Sequence, residues 1–179
     1  MLEKKKILRK IIKVRVSAIS AEEKAKREKL LLDNLFSMPE FLAANTVMLF
    51  ANLPDEIGTF SLIDKCIAMG KKVFLPVING DEMTAREFKG EYKIGKYDIK
   101  EPLTPHSSLL TPHSVDFILV PGVAFSPNGY RLGRGKGYYD KFLSKYSNLF
   151  TVGVCFREQF YLDIPTEPHD IPMQRVLVI

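Results

Sequence analysis

The sequence predicts an α/β fold: a three-layer α/β/α sandwich with a mostly parallel sheet, a single domain over residues 1–179. Three observations lead there. Short, nearly all-apolar runs alternate with segments of helical period, as strands do when helices cover both faces of their sheet. The apolar share of 46% and charged share of 26% are ordinary for a soluble domain with a full core. No linker-like stretch divides the chain, and there is no internal repeat.

The elements follow in order. Residues 3–16 set Ile7, Leu8, Ile11 and Ile12 among Lys and Arg at helical spacing. Ser20 with Glu23 reads as a capping box that opens a second helix toward residue 37, closed by Met38-Pro39. Thr46–Ala51 is a short buried strand. Thr59–Met69 is a helix stopped by Gly70. Lys72–Val77 is a strand that ends at Pro76 or just after it, and Glu82–Phe88 is a candidate third. Residues 89–114 carry Gly, Pro, Ser and Thr and read mostly as connection. Val115–Val120 is a buried strand ended by Pro121-Gly122. Tyr138–Tyr146 is a helix with Phe142 and Tyr146 on one face. Leu149–Cys155 is a strand, and Arg175–Ile179 is a candidate last one. Ligands of such sheets gather at the carboxyl ends of strands. The segments Asn52–Thr59, Pro121–Asp140 and Phe156–Asp170 follow strands and are the places for chemistry.

Charge and composition exclude several classes. The net charge of +5 is uneven: residues 1–30 hold 11 Lys/Arg against 4 Glu, and the other 149 hold 15 against 17 Asp/Glu. The basic character belongs to the N-terminal helices, so no broad basic face is expected. Residues 1–30 contain no aromatic side chain, which a single-strand RNA surface would interleave with its cations. No nucleic acid partner is expected. Apolar runs are too short to span a bilayer, and Lys4, Lys5 and Lys6 precede no signal-peptide core. Cys66 and Cys155 lack CxxC spacing and read as reduced core thiols. These features suit a cytoplasmic protein with no membrane contact and no obligate protein partner.

The most informative stretch runs Gly129-Tyr-Arg-Leu-Gly-Arg-Gly-Lys-Gly-Tyr-Tyr-Asp140. Gly133, Gly135 and Gly137 alternate with Arg134 and Lys136, and Arg131 stands just before them. Glycine lets backbone N–H groups turn toward a guest with no side chain in the way. A helix start adds free donors, and the cations add charge. The guest that suits all three is a polyphosphate. The spacing is not a Walker A loop, since Gly135-Lys136 is followed by Gly137, nor is it the Gly-x-Gly-x-x-Gly dinucleotide fingerprint. His106, His113 and His169 show no metal-ligand spacing, and no Ser/His/Asp or Cys/His nucleophile arrangement is visible.

Taken with its surroundings, the stretch resembles the 5-formyltetrahydrofolate cyclo-ligase family, also called 5,10-methenyltetrahydrofolate synthetases. Val120-Pro-Gly-Val-Ala-Phe125, then Gly129 to Asp140, is similar to that family's signature. Lys5-x-x-Leu8-Arg9, Glu56-Ile-Gly-Thr59, Glu101-Pro102, and Ile164-Pro165 through His169-Asp170 follow the same order. The chain departs from the family at Lys136, where glycine is frequent, at Ser126, where Asp is, and at Met173-Gln174-Arg175, near which an acid is usual.

The resemblance implies ATP-dependent closure of 5-formyltetrahydrofolate to the 5,10-methenyl form, with release of ADP and phosphate. It implies ATP as co-substrate and Mg2+ as metal. By the same resemblance Arg131, Leu132, Gly133, Arg134, Gly135, Lys136, Gly137, Tyr138 and Tyr139 would cradle the nucleotide, helped by Lys5 and Arg9 from the first helix. Lys4 and Lys6 flank Lys5 closely enough to leave that register open. Lys136 or Arg134 would stabilise the transferring group. Asp140 and Asp170 would hold Mg2+. Glu56 would meet the pterin, whose paired donors match a carboxylate. Ala51 would line the folate slot, with Phe125 and Tyr139 as aromatic walls, although core packing suits both of these aromatics equally. A phosphosugar isomerase or CoA-transferase-like enzyme on a similar sheet is the alternative that the glycine loop alone leaves open.

Overall fold

The computed structural model describes residues 1–95, 99–103, 115–146 and 149–179. His106 and His113, and much of the connection read over residues 89–114, lie outside these. Three helices come first: α1 (Leu2–Ser17), α2 (Ala21–Phe36) and the short α3 (Pro39–Ala43). Then follow β1 (Thr46–Met48), α4 (Phe60–Ala68), β2 (Lys72–Asn79), β3 (Glu82–Glu87), β4 (Tyr92–Ile94), β5 (Lys100–Pro102) and β6 (Phe117–Val120). The chain continues with β7 (Ala124–Phe125), β8 (Arg131–Leu132), α5 (Tyr138–Leu143), β9 (Phe150–Cys155) and β10 (Arg175–Val178).

Six strands form the central sheet in the order β10-β9-β6-β1-β2-β3. All neighbours are parallel except β2 and β3, which form an antiparallel hairpin at the edge. Alternation along each strand sends neighbouring side chains to opposite faces. Val47, Val73, Leu75, Phe117, Leu119, Val152 and Val154 join one core cluster with Ile12 and Val16 of α1, Leu31 and Leu35 of α2, Phe41 of α3 and Leu62 and Ile63 of α4. Met48, Phe74, Ile118, Val120 and Cys155 face the other way, toward Phe142 and Leu143 of α5. Four helices therefore cover one face. The single short helix α5 covers part of the other and leaves room for a cleft.

Local chemistry explains most boundaries. The Ser20 hydroxyl accepts from the Glu23 N–H at 3.1 Å, so α2 has its cap. The reciprocal half of the capping box is not formed: the Glu23 carboxylate pairs with Arg27 at 2.8 Å instead. The strand expected to stop near Pro76 runs on to Asn79. The Phe74 carbonyl accepts from Leu49 on the β1 side, and alternation aims the Pro76 nitrogen the same way, past the end of β1 pairing. Its missing N–H therefore costs the sheet no bond. The helix expected over Tyr138–Tyr146 ends at Leu143, but tighter turns carry Tyr146 on to stack with Phe142, centroids 4.4 Å apart. The hairpin of β4 and β5 was not anticipated; it lies within the segment read as connection.

Candidate active site

The parallel strands β1 and β6 end on the same side, and the loops that follow them enclose a cleft of about 430 Å3. Phe50, Ala51, Leu53 and Glu56 come from the loop after β1. Pro121 and Gly122 follow β6. Gly133, Arg134, Lys136, Gly137, Tyr138, Tyr139 and Asp140 come from the glycine loop and α5, and Pro76, Ile78, Met83, Ile99 and Glu101 form the far wall. One side of the cleft is thus cationic and glycine-rich, and the other apolar.

The Asn52–Thr59 loop is held by its own side chains. Thr59, fully buried, donates its hydroxyl to the Phe50 carbonyl, and the Asn52 side chain accepts from the Thr59 N–H at 3.0 Å. Glu56 is thereby set with its side chain 10% exposed. One of its oxygens accepts from the Leu53 N–H at 2.8 Å; the other meets Arg134 at 3.0 Å. Burial pushes the Glu56 carboxyl above the usual range, against the pull of the Leu53 N–H and Arg134.

In the glycine loop, Gly135 and Gly137 have φ of 105° and 66°, a region a side chain rarely adopts. Gly137 sits at the N-cap of α5. That helix has only six residues, so the loop's cations and N–H groups supply more of the local field than a helix dipole does. Lys136 is exposed and has no side-chain partner among the described residues. Arg134 reaches Asp55 at 2.7 Å as well as Glu56. Leu132 is buried and packs in the core.

Arg131 differs from its neighbours. Its side chain is 3% exposed, paired with Asp140 at 2.8 Å, and donates to the Ile171 carbonyl at 3.1 Å. Burial lowers its pKa, with Asp140 opposing. The oxygen of Asp140 that meets Arg131 also accepts from the Ile171 N–H at 3.1 Å. This pair ties β8, α5 and the late loop together at the cleft wall.

The N-terminal helix reaches the same place. Arg9 donates to the Gly133 carbonyl at 2.8 Å, and burial lowers its pKa. Lys5 is the buried lysine of its triplet, with Lys4 and Lys6 exposed. It lies 3.0 Å from Glu167 and 3.5 Å from Asp170. The ligand atoms of Glu167, His169 and Asp170 lie within 4.8 Å of one another, while Asp140 accepts from the N–H of the next residue, Ile171, and both Asp140 and Asp170 act on Arg131.

Of the aromatic walls, Tyr139 lines the cleft, with burial and then Glu56 raising its hydroxyl pKa. Tyr138 donates its hydroxyl to the Gly80 carbonyl at 3.1 Å, joining α5 to the β2–β3 turn. Phe125, expected in the slot, is instead a core residue, 0% exposed. A Cβ on Gly122 or Gly153 would run into its ring, which explains both glycines.

Several residues at the site gave no signal in the sequence. Asp55 shares Arg134 with Glu56, and Glu167 is the nearer partner of Lys5. Gln159, buried, donates to the Gly122 and Val123 carbonyls at 3.2 and 3.1 Å and so holds the turn that follows β6. Glu101 is a cleft carboxylate only 5% exposed. Unlike the other three it was marked in the sequence, by Glu101-Pro102, but without a place in the site.

These features define an α/β protein with a cleft at the carboxyl ends of its parallel strands, basic on one side and apolar on the other. The chain belongs to the 5-formyltetrahydrofolate cyclo-ligase family, whose model matches residues 1–179. It is 30% identical to a probable 5-formyltetrahydrofolate cyclo-ligase of Caenorhabditis elegans, over 98% of this chain and 92% of that one. The mouse (Mus musculus) 5-formyltetrahydrofolate cyclo-ligase is 29% identical, over 97% and 92%. Among solved structures, the Aquifex aeolicus 5,10-methenyltetrahydrofolate synthetase superposes with a TM-score of 0.86 at 32% identity, covering 97% of this chain and 89% of that one. The Mycoplasma pneumoniae 5,10-methenyltetrahydrofolate synthetase shares the fold, with a TM-score of 0.78 at 22% identity over 96% of each chain. No described helix is long and apolar enough to cross a membrane.

Proposed function

We propose that this chain is an ATP-dependent cyclo-ligase that closes 5-formyltetrahydrofolate to 5,10-methenyltetrahydrofolate, releasing ADP and phosphate. The observation that carries the reading is the shared cleft: a basic glycine loop and a buried carboxylate, Glu56, face one space, within a chain that matches the family end to end. Its apolar far wall suits a flat folate ring, and its basic side suits a triphosphate.

The formyl oxygen on N5 is a poor leaving group. The γ-phosphoryl group passes to that oxygen, forming an O–P bond as the bond to ADP breaks. N10 then attacks the formyl carbon and loses its proton, and the C–O bond breaks to expel phosphate. The protein's work is positioning and charge stabilisation. Lys136, exposed and with no side-chain partner among the described residues, can follow the γ-phosphoryl group. The backbone of Gly133–Gly137, with Lys5, Arg9 and Arg134, holds the polyphosphate. Glu56 accepts from the pterin's paired donors, and Ala51 and Tyr139 flank the ring. Arg131 acts from behind, by orienting Asp140.

The donor set fits Mg2+. Asp140 lines the cleft with its second oxygen unpartnered among the described residues, and Asp170 lies near Glu167 and His169. Mg2+ characteristically takes one or two such oxygens with phosphate and water. When bound it would neutralise phosphate charge.

Absorbance at the methenyl band tests the reading. With 5-formyltetrahydrofolate and Mg-ATP the band rises with equal release of ADP. Without ATP, or with a chelator, it stays flat. A flat trace with Mg-ATP present overturns the proposal, and turnover that persists in chelator removes Asp140 and Asp170 as metal ligands.

A further inference from the structure

Arg134 joins two loops that come from distant parts of the chain. A single terminal nitrogen, Nη2, reaches Asp55 at 2.7 Å and Glu56 at 3.0 Å. Its two hydrogens are thereby used. Nη1 keeps both its N–H donors and Nε its one, with no partner among the described residues, and the side chain is 47% exposed and lines the cleft. A guanidinium engaged at one terminal nitrogen and open at the other can hold two anions at once. The Glu56 carboxylate held at Nη2 has its other oxygen fixed by the Leu53 N–H.

We propose that Arg134 is a positioning residue that couples the two substrates. The inference rests on the function proposed above, with the triphosphate on the glycine loop and the pterin on Glu56. A phosphate on the open Nη1 orders the guanidinium. An ordered guanidinium fixes Glu56 in place and favours its ionised form, which is the form that accepts both pterin donors. Nucleotide therefore strengthens folate binding, and reciprocity requires folate to strengthen nucleotide binding by the same factor. Lys136 lacks this bridge because it touches neither acid.

Titration calorimetry of 5-formyltetrahydrofolate, with and without a non-hydrolysable ATP analogue and Mg2+, tests this. Wild type should bind folate about tenfold more tightly with the analogue, within the roughly 5–150-fold span of such couplings. Arg134→Gln should bring that ratio near one; nucleotide alone should bind more weakly, since a phosphate contact is lost, and folate alone should still bind. Arg134→Lys, which keeps the charge without the fork, should fall between them. The residue sits on an exposed loop, so both variants should melt close to wild type. A ratio of one in wild type, or an undiminished ratio in Arg134→Gln, overturns the coupling alone. A wild type that binds no folate overturns the functional reading and the coupling together.

Discussion

Arg131 and Arg134 stand three residues apart in one basic stretch, yet they do opposite work. Arg131 leaves strand β8 pointing inward, 3% exposed, and meets one carboxylate and one carbonyl of the late loop. Arg134 leaves the glycine loop pointing outward, 47% exposed, and meets two acids at the cleft rim. The first is a buried brace, the second an open-handed contact. Charge in a motif thus says little about role until burial is known. A buried pair is expensive to break because it strands its partner, whereas an exposed pair is nearly neutral.

Substitution separates the two. Arg131→Met leaves Asp140 without its cation, and a loss of about 3–5 kcal/mol in urea unfolding is expected. Arg134→Gln should cost less, because Arg134 and Asp55 are exposed and the buried Glu56 keeps the Leu53 N–H. Equal losses would end the contrast. Next in size, Lys136→Ala should lower kcat by roughly 10²–10³-fold, the scale for one donor to a developing anion, with no change in melting temperature. A change in melting temperature that matches the loss in rate would make Lys136 a structural residue like Arg131.

Glu56→Gln gives a smaller and two-sided effect. Loss of charge-assisted bonds of about 1.5–3 kcal/mol should raise the folate KM by roughly tenfold or more, and more than it raises the ATP KM. Stability should move the other way. Burial raises the folded-state pKa of Glu56 above its unfolded value, so the folded state holds the proton more tightly and loses stability as pH rises through that window. The variant should therefore be the more stable protein at neutral pH, with the gap closing toward acid. Thermal melts across pH read this, and a gap that widens in acid would contradict the assignment. Smallest is Gly137→Ala: nothing lies within 4 Å of its Cβ, but φ of 66° should cost about 1–2 kcal/mol. Gly133→Ala, at ordinary φ with open space, is the control that should cost less.

Much of the architecture was legible in advance. Val115–Val120 and Leu149–Cys155 showed as buried strands because both their faces are covered, so nearly every position had to be apolar. The β4–β5 hairpin stayed hidden because Tyr92 and Ile94 are exposed, so burial imposed no alternation on them. Phe125 misled for the opposite reason: an aromatic beside a motif looks like a wall, and only the glycines at 122 and 153 show that its ring lies inside.

The sequence by itself determined the strand–helix alternation, the glycine loop with its cations and the family. Each is written in local spacing or in matched motifs, which need no third dimension. Tertiary structure alone decided which cations are braces and which are exposed, that Glu56 is buried against Arg134, and that Lys5 of the first helix meets Glu167 and Asp170 of the late loop. Those facts depend on burial and on meetings between residues as far apart as Lys5 and Glu167, and no local pattern encodes the dielectric a side chain will meet.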